Sequence, residues 1–169
     1  MNVVRPATDR PPPAQLDDTD LAILKLLALD GRMANSAVAE EVGIAPSTCL
    51  NRIRHLREQG VIRGFQADID PAALGRQLQA VVFVRIQPSA RSRIARFGTY
   101  LAGLPGVLNV YVLAGANDFQ VHVAVRDSDA LRDFVFNNLS AVPDVAGTET
   151  NLVFQHMTPL HRRDPQSRA

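Results

Sequence analysis

The sequence predicts an α+β chain in two parts: a small helical N-terminal domain, then a two-layer domain whose elements run β-α-β-β-α-β. Three observations predict it. Between residues 35 and 60 apolar side chains recur at helical spacing on both sides of one glycine, Gly43. From Leu78 onward the pattern changes to short alternating runs interrupted by two amphipathic helical stretches. Between these regions lies VIRGFQADID, an extended run that closes on Asp70-Pro71 and Leu74-Gly75, which are turn signals.

Composition sets the bounds. The chain has 169 residues, of which 46% are hydrophobic, enough for one ordinary core or two small ones. No apolar run nears the roughly 18 residues of a spanning helix, and the N-terminus lacks an apolar signal core, so a cytoplasmic protein with no membrane partner is expected. One cysteine rules out an intrachain disulfide framework and suits a reducing compartment. A net charge of +1 is small for a protein that grips nucleic acid over a broad surface. The charge is unevenly spread, however: Arg52, Arg54, His55 and Arg57 share one helix, whereas Asp17, Asp18 and Asp20 gather at the start of an earlier one.

Residues 1–15 hold Pro6, Pro11, Pro12 and Pro13 with almost no apolar periodicity, and are expected to form a disordered arm. Residues 16–63 are expected to fold as three helices. In the first, Asp17 caps, Asp20 stands where an acid favours the helix N-terminus, and Leu16 with Leu21 are spaced for a hydrophobic staple, while Ile23, Leu24 and Leu27 face inward. The second puts Val38, Ala39 and Val42 on one stripe and ends at Gly43, whose backbone tolerates the left-handed turn that stops a helix. Ala34 and Ala45 precede the second and third helices and cannot cap them. Asn35 is the expected substitute for the first, and Pro46 suits the opening position of the other.

The third helix carries the functional argument. Cys49, Ile53 and Leu56 fall at i, i+4 and i+7, so they share a buried face, and Cys49 reads as a small core residue. Ser47, Asn51 and Arg54 lie opposite, with Thr48 and His55 beside them. Two helices hinged at a glycine, the second presenting small polar groups near its N-terminus and arginines further along, suit the major groove of double-stranded DNA: a helix-turn-helix. Ser47, Thr48 and Asn51 are the expected base contacts, and Arg54, with Arg52 behind it, the expected phosphate contacts. Arg52 lies near the edge of the buried stripe, so an ion pair with Glu40 or Glu41 is an equal alternative. An ordinary surface helix hairpin would share the same periodicity.

Residues 64–76 are expected to be a linker strand and hinge. Residues 77–156 then give strands at Leu78 to Ile86, Val107 to Leu113, Phe119 to Val125 and Val145 to Phe154. One helix carries Ile94, Phe97, Leu101 and Leu104. The other carries Leu131, Phe134, Val135 and Leu139, with Asp127 or Asp129 available as its cap. Two βαβ halves with both helices on one side of an antiparallel sheet make a ferredoxin-like plan. The first strand is apolar on both sides, with Val81 and Phe83 on one and Ala80, Val82, Val84 and Ile86 on the other. The helix-free face therefore calls for a cover, and a second copy of the chain is the simplest one. Residues 157–169 are polar and basic, and are expected to be a mobile tail.

Leu16-Asp17, Asp20, Ile23-Leu24, Asp30-Gly31-Arg32, Gly43, Arg52, Leu56, Gly60-Val61-Ile62, Gly64-Phe65, Asp70-Pro71 and Leu74-Gly75 stand in an order and spacing that closely resemble the DNA-binding half of the leucine-responsive/asparagine regulator (Lrp/AsnC) family. Gly115 with Asp118, and Val145-x-x-Thr148-x-Thr150, resemble its amino-acid-sensing half. The resemblance spans about residues 16 to 156. It implies a winged-helix-like DNA-binding domain, a homodimer and higher assemblies that are commonly octameric rings of four dimers. It also implies an amino-acid effector held by Gly115, Asn117, Asp118, Thr148 and Thr150. The chemistry is consistent: Asp118 accepts from an ammonium group, and the threonine hydroxyls both donate and accept. An ordinary hairpin turn with two strand threonines would look the same from the residues alone.

No catalytic set, cofactor motif or metal-ligand spacing is present. His55, His122, His156 and His161 fall in no pattern with cysteine or carboxylate, and neither a phosphate loop nor a serine elbow occurs. The expected function is a transcription regulator that is not an enzyme. Two alternatives share the two-part plan: a siroheme-decarboxylase-like enzyme, and an amino-acid-binding interaction module whose helix-turn-helix is vestigial.

Overall fold

The computed structural model describes residues 15–157, and the chain divides into two compact units, one running through Asp68 and one from Ile69 to His156. The division falls inside the 64–76 segment. The expected arm and all but the first residue of the expected tail lie outside the described residues.

The N-terminal unit contains α1 (Asp18–Leu29), α2 (Asn35–Val42) and α3 (Pro46–Glu58). α1 starts with a reciprocal capping box: the Asp17 carboxylate accepts from the Asp20 N–H at 2.8 Å, and Asp20 accepts from the Asp17 N–H at 3.3 Å. Leu16 packs against the core while Leu21 is half exposed. α2 ends where Gly43 adopts φ 74°, which lets Ile44 turn inward and donate to the Ala39 carbonyl. Ile23, Val38, Ala39, Cys49 and Leu56 are buried, with Leu24, Ile53 and Ile62 packed around them. Cys49 is thus a core residue, and burial pushes its thiol pKa up.

Two expectations change. Asn35 does not cap α2: it is the first helical residue, the cap position is Ala34, and the Asn35 side chain donates to the Pro46 carbonyl at 2.9 Å, tying α2 to the start of α3. Residues 61–70 form no strand. An extended backbone becomes a strand only when another backbone accepts its hydrogen bonds, and this chain offers it none among the described residues.

The C-terminal unit opens with a 3-10 turn, Pro71–Leu74, capped by Asp70, which explains Asp70 as turn chemistry. β1 (Leu78–Ile86), β2 (Val107–Val112), β3 (Phe119–Val125) and β4 (Val145–Leu152) form one antiparallel sheet in the order β2-β3-β1-β4. α4 (Ile94–Ala102) follows β1 through a 3-10 turn, and α5 (Ser128–Val135) follows β3 and continues as a π turn to Ser140. Asp127 caps α5 by accepting from the Ala130 N–H. Ala80, Val82, Val84 and Ile86 bury one sheet face against Phe97 and Leu101 of α4, Leu131 and Phe134 of α5 and Leu139 of the π turn, as the ferredoxin-like plan requires. On the other face Val81 and Phe83 are only half buried and Tyr111 is 51% exposed.

Candidate DNA-reading helix and effector turn

α3 presents its polar side as the sequence predicts. Ser47, Thr48, Asn51 and Arg54 are exposed, while Cys49 and Leu56 are fully buried on the reverse side. Pro46 opens the helix, and no side chain caps it. Asn51 and Arg54 are only loosely associated, Nη1 to Oδ1 being 3.5 Å, too long to hold either side chain away from a groove.

Arg52 is placed differently. It does not meet Glu40 or Glu41. Its Nη1 donates to Asp17 Oδ2 at 2.7 Å and to Asp20 Oδ1 at 2.9 Å, the two carboxylates of the α1 capping box. Asp17 is held below the usual carboxylate range, chiefly by the Asp20 backbone N–H and then by Arg52. Both bonds are made by Nη1, so Arg52 ties α3 to the start of α1: the ion pair that the sequence offered beside a phosphate contact is formed with α1 and not with Glu40 or Glu41. The periodicity showed that Arg52 was off the outward face, but the partner came from a helix 32 and 35 residues away in sequence.

Beyond Arg54 the structure brings together two cations that the sequence argument did not select. Arg54, Arg57, Glu58, Ile62 and Arg63 line an open groove of about 390 Å³. Arg57 was legible as part of the helix's basic run. Arg63 was not, since it joins the others only because the chain folds back after α3, with the Ile62 N–H donating to the Leu56 carbonyl at 3.0 Å.

In the C-terminal unit the Gly115 to Asp118 turn closes β2 onto β3, the Leu113 N–H donating to the Asp118 carbonyl at 2.8 Å. Asp118 is half buried and its carboxylate accepts from the Ile86 N–H at 2.8 Å, so it also anchors the end of β1. One of its oxygens is thereby occupied. Gly115 has φ 151° and nothing lies within 4 Å of where its Cβ would stand, so the glycine answers the backbone conformation and not a close approach. Thr148 pairs across β1 with Val84, and Thr150 with Val82. The same Val84 pairs with Phe119 on β3, directly after Asp118. Register therefore gathers the turn and Thr148 at one end of the sheet on opposite sides of β1, with Thr150 two residues further along. Asn117 is half buried in the turn.

His122 is half buried on the helix-free face, with Nε2 3.0 Å from Gln79 Oε1 and its ring 6.1 Å from that of His156. Burial, and secondarily His156, lower its pKa below the ordinary 6.5. Among the described residues no three histidine, cysteine or acidic side chains are grouped to hold a metal ion, and no helix is long and apolar enough to cross a membrane.

Two family models match the chain, a winged helix-turn-helix DNA-binding domain over residues 16–63 and an Lrp/AsnC ligand binding domain over residues 79–160. The chain is 54% identical over 145 residues to the HTH-type transcriptional regulator AldR of Mycobacterium tuberculosis, covering 86% of this chain and 81% of that protein. The crystal structure of the Mycobacterium tuberculosis AldR superposes with a TM-score of 0.78 at 47% identity, covering 87% of this chain and 97% of that one. A transcriptional regulator from Neisseria meningitidis, crystallised as a complex with L-Met, superposes with a TM-score of 0.76 at 29% identity, covering 86% and 94%.

Proposed function

This chain belongs to the Lrp/AsnC family of DNA-binding transcriptional regulators, and from that premise we propose that it reads a specific operator through α3 and is modulated by a free amino acid bound at the Gly115 to Asp118 turn. The observation that carries the DNA half is the composition of the exposed face of α3. Ser47, Thr48 and Asn51 lead, as base contacts, and Arg54 and Arg57 follow, with Arg63, as phosphate contacts in one groove. The effector half is supported by the convergence of Asp118 and Thr148 at one sheet end, and by the L-Met bound in the Neisseria meningitidis relative. Thr150 and Asn117 flank that end, and Gly115 shapes the turn.

The working unit in this proposal is at least a homodimer, with assembly to octamers available as the resemblance implies. Among the described residues the half-buried Val81 and Phe83 with exposed Tyr111 leave the sheet's second face without a cover, and a second copy supplies a surface of matching character. Light scattering is expected to give a dimer or a larger even-numbered species. A monodisperse monomer at micromolar concentration would remove this part of the proposal.

An electrophoretic shift on the DNA upstream of the protein's own gene, with and without a pool of the twenty amino acids, tests the whole reading. A specific shift altered by the pool is expected, and the change in affinity should correspond to a coupling of about 1–3 kcal/mol, since a ligand moves the equilibrium only by its differential affinity for the two states. Failure to distinguish this DNA from random DNA would overturn the regulator reading at α3.

A further inference from the structure

We infer that Arg85 is the carboxylate-binding residue of the effector site, so that the site takes a zwitterion, its ammonium at Asp118 and its carboxylate at the Arg85 guanidinium. This rests on the reading of the Gly115 to Asp118 turn as the effector site, and it adds the residue that decides the ligand's chemical class.

The geometry comes from register. β1 pairs with β3 up to Val84 opposite Phe119, and the Asp118 N–H donates to the Val84 carbonyl at 3.0 Å, so the next residues along, Arg85 and Asp118, stand beside each other at the sheet end. On the other side of β1, Arg85 is paired with Gly147 of β4. Opposite charges on neighbouring strands ordinarily form an ion pair. Here they do not. The Asp118 carboxylate is turned to the Ile86 N–H. The exposed Arg85 side chain lies instead over β4, where its Nη2 is 3.2 Å from the position a Cβ would occupy on Gly147.

Gly147 thus leaves room for the guanidinium over β4, since a Cβ there would press on it and make it give by a few tenths of an ångström. An anion and a cation are held apart across one strand, each with unused capacity: a second carboxylate oxygen on Asp118 and a guanidinium with no ion pair among the described residues.

The pair selects its ligand by charge. A phosphate or a simple carboxylic acid would satisfy Arg85 but be repelled by Asp118, and a simple amine would do the reverse. A free α-amino acid meets both. The planar guanidinium fork takes a carboxylate through two parallel hydrogen bonds, which lysine or glutamine in its place could not reproduce. The ligand's side chain plays no part in this recognition, so the pair sets the class of molecule and leaves selection among amino acids to the surrounding walls.

The test uses the full chain and calorimetric titration with each of the twenty amino acids, followed by the C-terminal amide of any that binds. Arg85→Gln is expected to weaken the free amino acid by about 10- to 100-fold, the range for losing a hydrogen-bonded charge. The amide, which lacks the carboxylate, should bind wild type and Arg85→Gln alike. Gly147→Ala should weaken the free amino acid less, by displacing the guanidinium without removing its charge. Assembly size by light scattering should not change. Unaltered binding of the free amino acid to Arg85→Gln would overturn the inference while leaving the effector turn in place. So would a change in assembly size with that variant, which would assign Arg85 to a carboxylate of a second copy. If no amino acid binds wild type, the reading of the turn itself fails and this inference with it.

Discussion

The two units expose their functional groups in opposite ways. In the N-terminal unit everything proposed to touch a base lies on one helix, α3, within a few residues of sequence, and the rest of the unit serves to hold that helix. In the C-terminal unit the proposed effector groups come from three places, Arg85 at the end of β1, Asp118 before β3 and Thr148 on β4, set at one end of the sheet by strand register, with Thr148 on the helix side beside Val84 and Arg85 on the other side. A site on one helix inherits its geometry from a local period of 3.6 residues. One assembled by register inherits it from hydrogen bonds between distant segments, and slipping one strand by a residue would turn its side chains to the other face. The same contrast holds in the cores, because among the described residues five buried side chains support the first unit and a larger cluster under two helices supports the second.

The largest expected effects come from equal truncations in the two cores. Leu56→Ala and Leu101→Ala each remove a fully buried leucine and should cost about 2–5 kcal/mol. In the small N-terminal unit that is most of the available stability. Leu56→Ala should therefore abolish DNA binding while the C-terminal unit still melts as in wild type. Leu101→Ala should lower the melting of the C-terminal unit. Scanning calorimetry separates the cases, and a single shared transition lowered by both would break the comparison.

Next in size is specificity. Asn51→Ala should lose about 1–3 kcal/mol of discrimination between operator and random DNA, measured as the ratio of two dissociation constants at one salt concentration. Arg54→Ala should weaken binding to both DNAs alike. It should also flatten the logarithmic salt dependence by about 0.9, one phosphate's worth. An Arg54→Ala protein with an unchanged slope would move the phosphate contact elsewhere in the groove.

Arg52→Gln should act differently from Arg54→Ala although the two arginines are two residues apart. Arg52 holds the α1 capping box, so its loss should lower the melting of the N-terminal unit and leave the salt slope of the remaining folded protein unchanged. A reduced slope with unaltered melting would instead return Arg52 to the DNA surface.

The smallest effects are in pH. His122 has its pKa lowered in the fold, so the unfolded chain takes up the proton first as pH falls below 6.5. The stability associated with neutral His122 is present above that value and is lost as pH falls through the folded pKa. Asp17 is also lowered, and its contribution is present above 3.8 and lost only at more acid pH. The C-terminal unit should therefore soften first between neutral and mildly acid pH, and His122→Gln should remove that early loss while leaving the response of the N-terminal unit unaltered.

Much of this architecture was decided by the sequence alone. The cap at Asp17 with an acid at Asp20, the turn at Gly43, the buried stripe of α3, the limits of β1 and β3 and the two-sided apolar character of β1 all follow from local preference and periodicity. These act within about two turns of helix or one strand, and so are written in consecutive residues. Tertiary structure decided the rest. It gave Arg52 the carboxylates of α1 in place of Glu40 or Glu41, sent the Asn35 side chain to Pro46, left residues 61–70 without a strand partner, and occupied half of Asp118 with the end of β1. It also laid Arg85 over Gly147, two residues 62 positions apart that no periodicity connects. The physical reason is common to all of these: a charge or a backbone amide takes whichever partner the packing brings within about 3 Å, and packing joins segments whose separation along the chain carries no record of their meeting.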